Sequence, residues 1–345
     1  MKELKGFTHG VNLGGWLSQC DHSKERYDTF IKEEDIKRIA SWGLDHVRLP
    51  IDYELVETED GAVIESGYAY IDSCISWCKK YGLNMILDLH KTAGYVFDNQ
   101  EYSKGFFEQP ELMDRFVNLW IKLAKRFVKD KDILIFELLN EIVNPDVYEE
   151  WNQLAARTVE AIRGVDPDVR IMYGGVCYNS VTSVKLLAKP KYDNVIFTFH
   201  CYEPLIFTHQ AAYWCEGMPS DYRVSYPETL ERYVEDTKKN LDPIMVGTYY
   251  DTAIDISKLC DPEFFRILFK EAIETAEKYD VPLYCGEYGV IDQADVSSTI
   301  KWYQDITQVF NEKNIGRAAW SYKQMDFGVV DEHYDPIREE ILKLL

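Results

Sequence analysis

The sequence predicts a closed parallel α/β barrel forming one domain over residues 1–345. Two observations lead there. Short apolar, β-branched runs alternate eight times with stretches of helical spacing, and no linker, internal repeat or low-complexity tract divides the chain. Parallel strands covered by helices on both faces read as near-continuous apolar runs. Eight such strand–helix units in one chain are what a (β/α)8 barrel requires.

The first strand spans Phe7–Leu13 and closes on Gly14-Gly15-Trp16. Helical spacing over Glu33–Trp42 (Ile36, Ile39, Ala40) stops at Gly43, since glycine readily takes the left-handed turn that ends a helix. Leu44–Pro50 is the second strand, with Arg48 near its end. Tyr68–Tyr81 is amphipathic and stops at Gly82, and Leu83–His90 is the third strand. A helix over Leu112–Val128 precedes the fourth strand, Ile133–Leu139, which runs into Asn140-Glu141 and the turn pair Asn144-Pro145. Val147–Ile162 is helical and Val169–Tyr173 is strand five. A shorter helix near Val181–Leu187 precedes strand six, Asn194–Phe199, which ends at His200-Cys201-Tyr202.

The rhythm lapses over 203–262, a Tyr-rich insert carrying Phe207-Thr208-His209-Gln210 and Tyr213-Trp214. An irregular insert of that length in a compact domain is usually a functional loop or a small subdomain. The pattern then resumes with a helix over Phe264–Tyr279, strand seven over Val281–Cys285 leading to Glu287, and a helix over Val296–Phe310. Strand eight is Ile315–Trp320, and a helix over Ile337–Leu344 closes the chain.

Composition narrows the partners. Against 38 Lys and Arg stand 59 Asp and Glu, a net charge of −21, which repels nucleic acid and anionic membrane and favours a neutral or cationic partner. The surplus of 24 Tyr and 8 Trp suits flat ligands such as sugar rings. The 8 cysteines are scattered, several inside apolar runs, and read as buried free thiols. Met1–Lys5 enters the first strand without an apolar secretory segment, and no run is long enough to span a membrane. The expectation is an intracellular protein, or a secreted one whose leader has been removed.

Barrel enzymes place their chemistry at the carboxyl ends of the strands. Here those ends carry Arg48, His90, Asn140, Glu141, His200, Tyr202, Glu287 and Trp320. Each alone has an ordinary structural role available, whether as a capped histidine, a paired arginine or a core tryptophan. Their placement together at one rim points to a site. Two carboxylates facing each other define a short set of reactions, with glycoside hydrolysis first among them. Arg48 and the Tyr202 hydroxyl suit holding one glutamate ionised, while burial or its neighbour's charge would keep the other protonated. Asn140 suits a sugar hydroxyl, and Trp320 the face of a pyranose ring. Asp88, His90, His200 and Glu287 also supply metal-ligand types, but no His-x-His or Glu-x-x-His pair sits at a strand end. The expectation is therefore no metal and no organic cofactor. A glycan-binding module without activity would not need two opposed glutamates with an arginine between them.

Taken in order, several motifs fall on the expected strands: Gly10-Val11-Asn12-Leu13-Gly14-Gly15-Trp16, His46-Val47-Arg48-Leu49-Pro50, Leu87-Asp88-Leu89-His90, Phe136-Glu137-Leu138-Leu139-Asn140-Glu141, Phe199-His200-Cys201-Tyr202, Tyr284-Cys285-Gly286-Glu287-Tyr288-Gly289 and Ala319-Trp320. In these the chain resembles glycoside hydrolase family 5, nearest its compact single-domain endoglucanase C type. The resemblance implies a retaining endo-β-glucanase acting on β-1,4 or mixed β-1,3/1,4 glucans as a monomer. Mannan, xyloglucan and β-1,3-glucan remain open as substrates. It makes Glu141 the general acid/base, Glu287 the nucleophile, and Arg48, His90, Asn140, His200, Tyr202 and Trp320 the groups around the scissile sugar. The insert would overhang the cleft and bring His209 and Trp214 to the substrate. Trp16 and Asn12, near the end of the first strand, would contribute further contacts. One departure stands out: many relatives carry a second histidine where this chain has Lys91.

Overall fold

The computed structural model describes residues 1–103, 105–241, 255 and 257–345. Among these, eight parallel strands close a barrel in sequence order, with β8 pairing back onto β1. They are β1 (His9–Asn12), β2 (His46–Asp52), β3 (Asn84–Lys91), β4 (Leu134–Glu137), β5 (Arg170–Gly174), β6 (Val195–Cys201), β7 (Leu283–Tyr288) and β8 (Gly316–Ala319). The covering helices are α1 (Glu33–Ser41), α2 (Glu65–Tyr81), α3 (Pro110–Phe127), α4 (Tyr148–Arg163), α5 (Pro262–Tyr279), α6 (Val296–Lys313) and α7 (Arg338–Leu344). Strand β5 is followed by a 3-10 segment, Val181–Leu186, where the sequence predicts a short helix. No helix among the described residues is long and apolar enough to cross a membrane.

Period-two alternation along the strands sorts the interior. Val47, Leu49 and Ile51 of β2, and Leu87 and Leu89 of β3, belong to the large core beneath the helices. The residues between them point inward. Low in the barrel these are apolar: Phe7, Ile86, Ile135, Met172, Ile196 and Ala318 form a separate cluster that plugs the floor. One step up, the same inward rows carry Arg48, Asp88, Glu137 and Thr198, all fully buried. One further step brings His90 and His200 to the rim.

The described part of the predicted insert contains two helices the sequence reading did not place, Leu205–Thr208 and Leu230–Asn240. Residues 242–254 and 256 of that insert lie outside the described residues. A short helix over Lys24–Thr29, capped by the Ser23 hydroxyl accepting from Arg26 N, was also not foreseen. All eight cysteines are free, and four of the six buried ones lie in elements named above.

Candidate active site

Arg48 is the hub. Its Nε donates to Glu137 Oε2 at 2.7 Å and its Nη2 to Glu137 Oε1 at 3.1 Å, a two-pronged grip. Nη1 donates to Glu287 Oε1 at 2.8 Å and to Asn12 Oδ1 at 2.9 Å, while Nη2 also donates to Asn140 Oδ1 at 2.9 Å. A buried cation is costly unless paired and fully hydrogen-bonded, and this one meets that condition.

Glu287 reaches the hub through an irregularity in β7. Phe199 pairs with Cys285 but His200 pairs with Glu287, so Gly286 is an extra residue on the β7 side. Strict alternation from inward Tyr284 would send Glu287 out towards the helices. The extra residue resets the phase, so Glu287 faces in and Tyr288 packs outward against Trp302 and Phe310. Glu287 Oε1 accepts from Arg48, and Oε2 accepts from the Tyr202 hydroxyl at 2.9 Å. Burial raises its carboxyl pKa, and the Arg48 charge opposes that rise.

Glu141 lies four residues beyond the last residue of β4. The chain still follows the barrel wall there, with Leu138 N donating to Met172 O and Asn140 N to Leu89 O. The backbone at Glu141 is pinned by Tyr95, whose hydroxyl donates to Glu141 O at 3.1 Å and accepts from Val143 N at 2.8 Å. Glu141 Oε1 lies 2.7 Å from His200 Nδ1. Burial pushes its carboxyl well above the usual range, and the Glu287 charge pushes it further. His200 itself is held neutral, mainly by burial. One oxygen of each glutamate and a ring nitrogen of His200 lie within 4.8 Å of one another.

The remaining candidates separate clearly. His90 stacks on Trp320, with ring centroids 5.8 Å apart and planes 9° from parallel. Gly14 makes room for that tryptophan, because a Cβ there would sit 2.8 Å from its ring. His209 packs edge-on against Tyr202 at 4.8 Å and against Trp214 at 6.0 Å, which joins the insert to the site through Tyr202. Trp214 is 42% exposed. Two expectations are corrected. Trp16 is fully buried, stacked on Trp77 with its indole N–H committed to Tyr27 O, so it packs the core and offers nothing to a ligand. Asn12 is also fully buried, its amide nitrogen donating to Gly286 O at 2.9 Å and Ala318 O at 3.1 Å, so it braces Arg48 and β7 instead of meeting a sugar.

Three residues that the sequence reading did not place around the scissile sugar belong to the site: Glu137, Asp88 (weighed there only as a metal-ligand type) and Tyr95. Alternation along β3 and β4 was the available signal for the first two, as it sets both acids on the inward row beside Arg48. Lys91 turns away from the centre, pairs with Glu54 and lies over the Tyr53 ring. Among the described residues two groups offer metal-ligand atoms, Glu141–His200–Glu287 and His22–Asp52–Glu54. In the first, hydrogen bonds occupy His200 Nδ1 and both oxygens of Glu287. In the second, His22 faces Asp52 at 3.2 Å and Glu54 is taken by Lys91.

The chain is similar to known proteins over nearly its whole length. The sequence model of the family described as "Cellulase (glycosyl hydrolase family 5)" matches residues 8–326. Endoglucanase C of Acetivibrio thermocellus is 42% identical over 350 residues, covering 99% of this chain and 98% of that protein. Cellodextrinase A of Ruminococcus flavefaciens is 43% identical over 319 residues, 92% of this chain and 86% of that one. Among solved structures, Thermotoga maritima Cel5A in complex with cellobiose superposes with a TM-score of 0.74 at 24% identity, over 99% of this chain and 97% of that one.

Proposed function

The chain belongs to glycoside hydrolase family 5, and from that premise we propose that it is a retaining endo-β-glucanase, with Glu141 as general acid/base and Glu287 as nucleophile. The substrates are β-1,4 and mixed β-1,3/1,4 glucans, including the short chains implied by the name of its cellodextrinase relative. One observation carries the reading: two buried glutamates with oxygens within 4.8 Å, held by unequal partners. That spacing belongs with the roughly 5–5.5 Å of retaining enzymes and not the roughly 6.5–9.5 Å of inverting ones.

The inequality assigns the roles. A guanidinium and a phenol both donate to Glu287, which favours its ionised form and aims it. Among the described residues the Glu141 carboxyl is hydrogen-bonded to the neutral His200 imidazole alone, and burial keeps its proton on. Glu287 attacks the anomeric carbon as Glu141 protonates the departing oxygen, giving a covalent glycosyl-enzyme. Esterification removes the Glu287 charge, and with it the repulsion that holds the Glu141 pKa up. The Glu141 carboxylate is then poised to take a proton from the water that releases the sugar. Within this reading the whole chain works as one catalytic domain and as a monomer. The described part of the insert overhangs the cleft and brings His209 and Trp214 towards the substrate.

The test uses alanine variants with azide rescue on an aryl cellobioside. Glu287→Ala and Glu141→Ala each lose at least about 10²-fold in turnover. Azide restores the first with an inverted glycosyl azide and the second with a retained one. Near-normal turnover in either variant, or the opposite stereochemical pairing, refutes the roles. Product-length analysis on barley glucan, carboxymethyl cellulose, mannan, xyloglucan and laminarin fixes the preferred glycan.

A further inference from the structure

Asp88 sits on β3 two residues before His90 and is fully buried. Its two oxygens have different surroundings. Oδ2 lies 2.7 Å from His90 Nδ1 and 3.0 Å from Arg48 Nη2, whereas Oδ1 has no hydrogen-bond partner. The two Nη2 hydrogens are already given to Glu137 and Asn140, so Arg48 meets Asp88 through charge without a hydrogen to share.

An oxygen pressed against a guanidinium is a poor site for a proton. Burial raises the Asp88 carboxyl pKa to about 7 and the Arg48 charge opposes that rise, so a proton it takes up belongs on the partnerless Oδ1; Oδ2 stays an acceptor, and the hydrogen between it and the imidazole belongs to His90 Nδ1. Burial holds the imidazole pKa down to about 4, so the ring is neutral and Nε2 carries a lone pair. Trp320 lies against the ring face and Phe97 against its edge.

We propose that Asp88 is a positioning residue for the hydrolytic reaction, acting through two neighbours. It fixes His90 as the Nδ1–H tautomer, so that Nε2 meets the substrate as a hydrogen-bond acceptor for a sugar hydroxyl. It also competes with Glu287 for the charge of Arg48. The second part rests on reading Glu141 and Glu287 as the reacting pair. The titratable and charged groups around Asp88 are Arg48 and Asp52 from β2, His90 on its own strand, Glu137 and Glu141 from β4 and the loop after it, and Glu287 from β7.

Asp88→Asn separates charge from shape. The amide oxygen must take the Oδ2 position, because an NH2 there would face the His90 N–H and the guanidinium charge, and the NH2 group falls where Oδ1 has no partner. The variant keeps the tautomer and loses the charge. Asp88 holds up the pKa of both Glu287 and Glu141, so its neutralisation lowers both. Both limbs of the kcat/KM–pH profile on aryl cellobioside therefore move to lower pH, by on the order of one unit. A purely structural role would lower the amplitude and leave the limbs in place.

The tautomer is read directly from long-range 1H–15N spectra of the 15N-histidine-labelled wild type, with His90 assigned through His90→Gln. A protonated Nδ1 and a bare Nε2 from about pH 5 to 8 are expected. A wild-type Nε2–H tautomer overturns the proposal, as do Asp88→Asn limbs that coincide with wild type. Should Asp88→Asn fail to fold, the wild-type spectrum decides. A wild type that hydrolyses no glucan refutes the functional reading and leaves the tautomer result standing on its own.

Discussion

Tyr202 gives its hydroxyl hydrogen to Glu287 Oε2, and that bond favours the carboxylate over the acid. Glu287 must be ionised to attack, so activity rises as pH climbs through its pKa. Glu141 must be protonated to assist departure, so activity falls as pH climbs through its own. In Tyr202→Phe the carboxylate loses a donor and its pKa rises. The acidic limb of kcat/KM should shift to higher pH while the alkaline limb stays in place. Turnover at the optimum should drop about 10–100-fold, the worth of one hydrogen bond to a charged group. An unmoved acidic limb would mean that Arg48 alone sets the ionisation of Glu287. At this scale the sequence was informative where a polar side chain interrupts an apolar run at a strand's end, as with His90, Asn140-Glu141 and His200. It was less so for Asp88 and Glu137, which sit inside strands where neighbouring apolar residues mask a buried charge. It misled at Trp16, because adjacency to a strand end does not say whether an indole faces the cleft or the helix layer.

The eight strands and the seven named helices were legible from apolar spacing, with ends displaced by a few residues. Frayed boundaries are what spacing gives, because it reports burial and not backbone hydrogen bonds. The extra residue in β7 was not legible. Alternation counted from Tyr284 puts Glu287 on the wrong face, and only the pairing of His200 with Glu287 shows that Gly286 has been slipped in. The glycine is required there by close approach, since a Cβ would lie 3.0 Å from His200 Nε2 and 3.0 Å from Thr198 Oγ1. Gly286→Ala should therefore fold, because its neighbours need give only a few tenths of an ångström. His200 would be pressed off Glu141, and kcat should fall about 10-fold or more with little change in KM. Thermal melts and steady-state kinetics on aryl cellobioside check both halves. Wild-type kcat would show that the imidazole has slack the packing does not reveal.

Closure of the barrel joins residues more than 300 positions apart, as in the register of Gly10 with Ala318, and it sets all the inward-facing acids around one arginine. The molecule as a whole carries a formal net charge of −21. A charge of that size leaves a neutral polysaccharide unaffected but repels a polyanion over a distance that salt controls, about 10 Å at 0.1 M ionic strength and about 3 Å at 1 M. Barley glucan and carboxymethyl cellulose share β-1,4 linkages and differ in charge, so they separate the field of the whole molecule from the chemistry of its site. Between about 0.02 M and 0.3 M sodium chloride, kcat/KM on barley glucan should stay flat, while on carboxymethyl cellulose it should rise several-fold as the repulsion is screened. The effect should appear in KM and leave kcat alone, because the reacting carboxylates are buried and their partners lie within 3 Å, inside any screening length. Parallel salt responses on the two glucans would show that the acidic surface lies away from the path by which the chain enters the cleft.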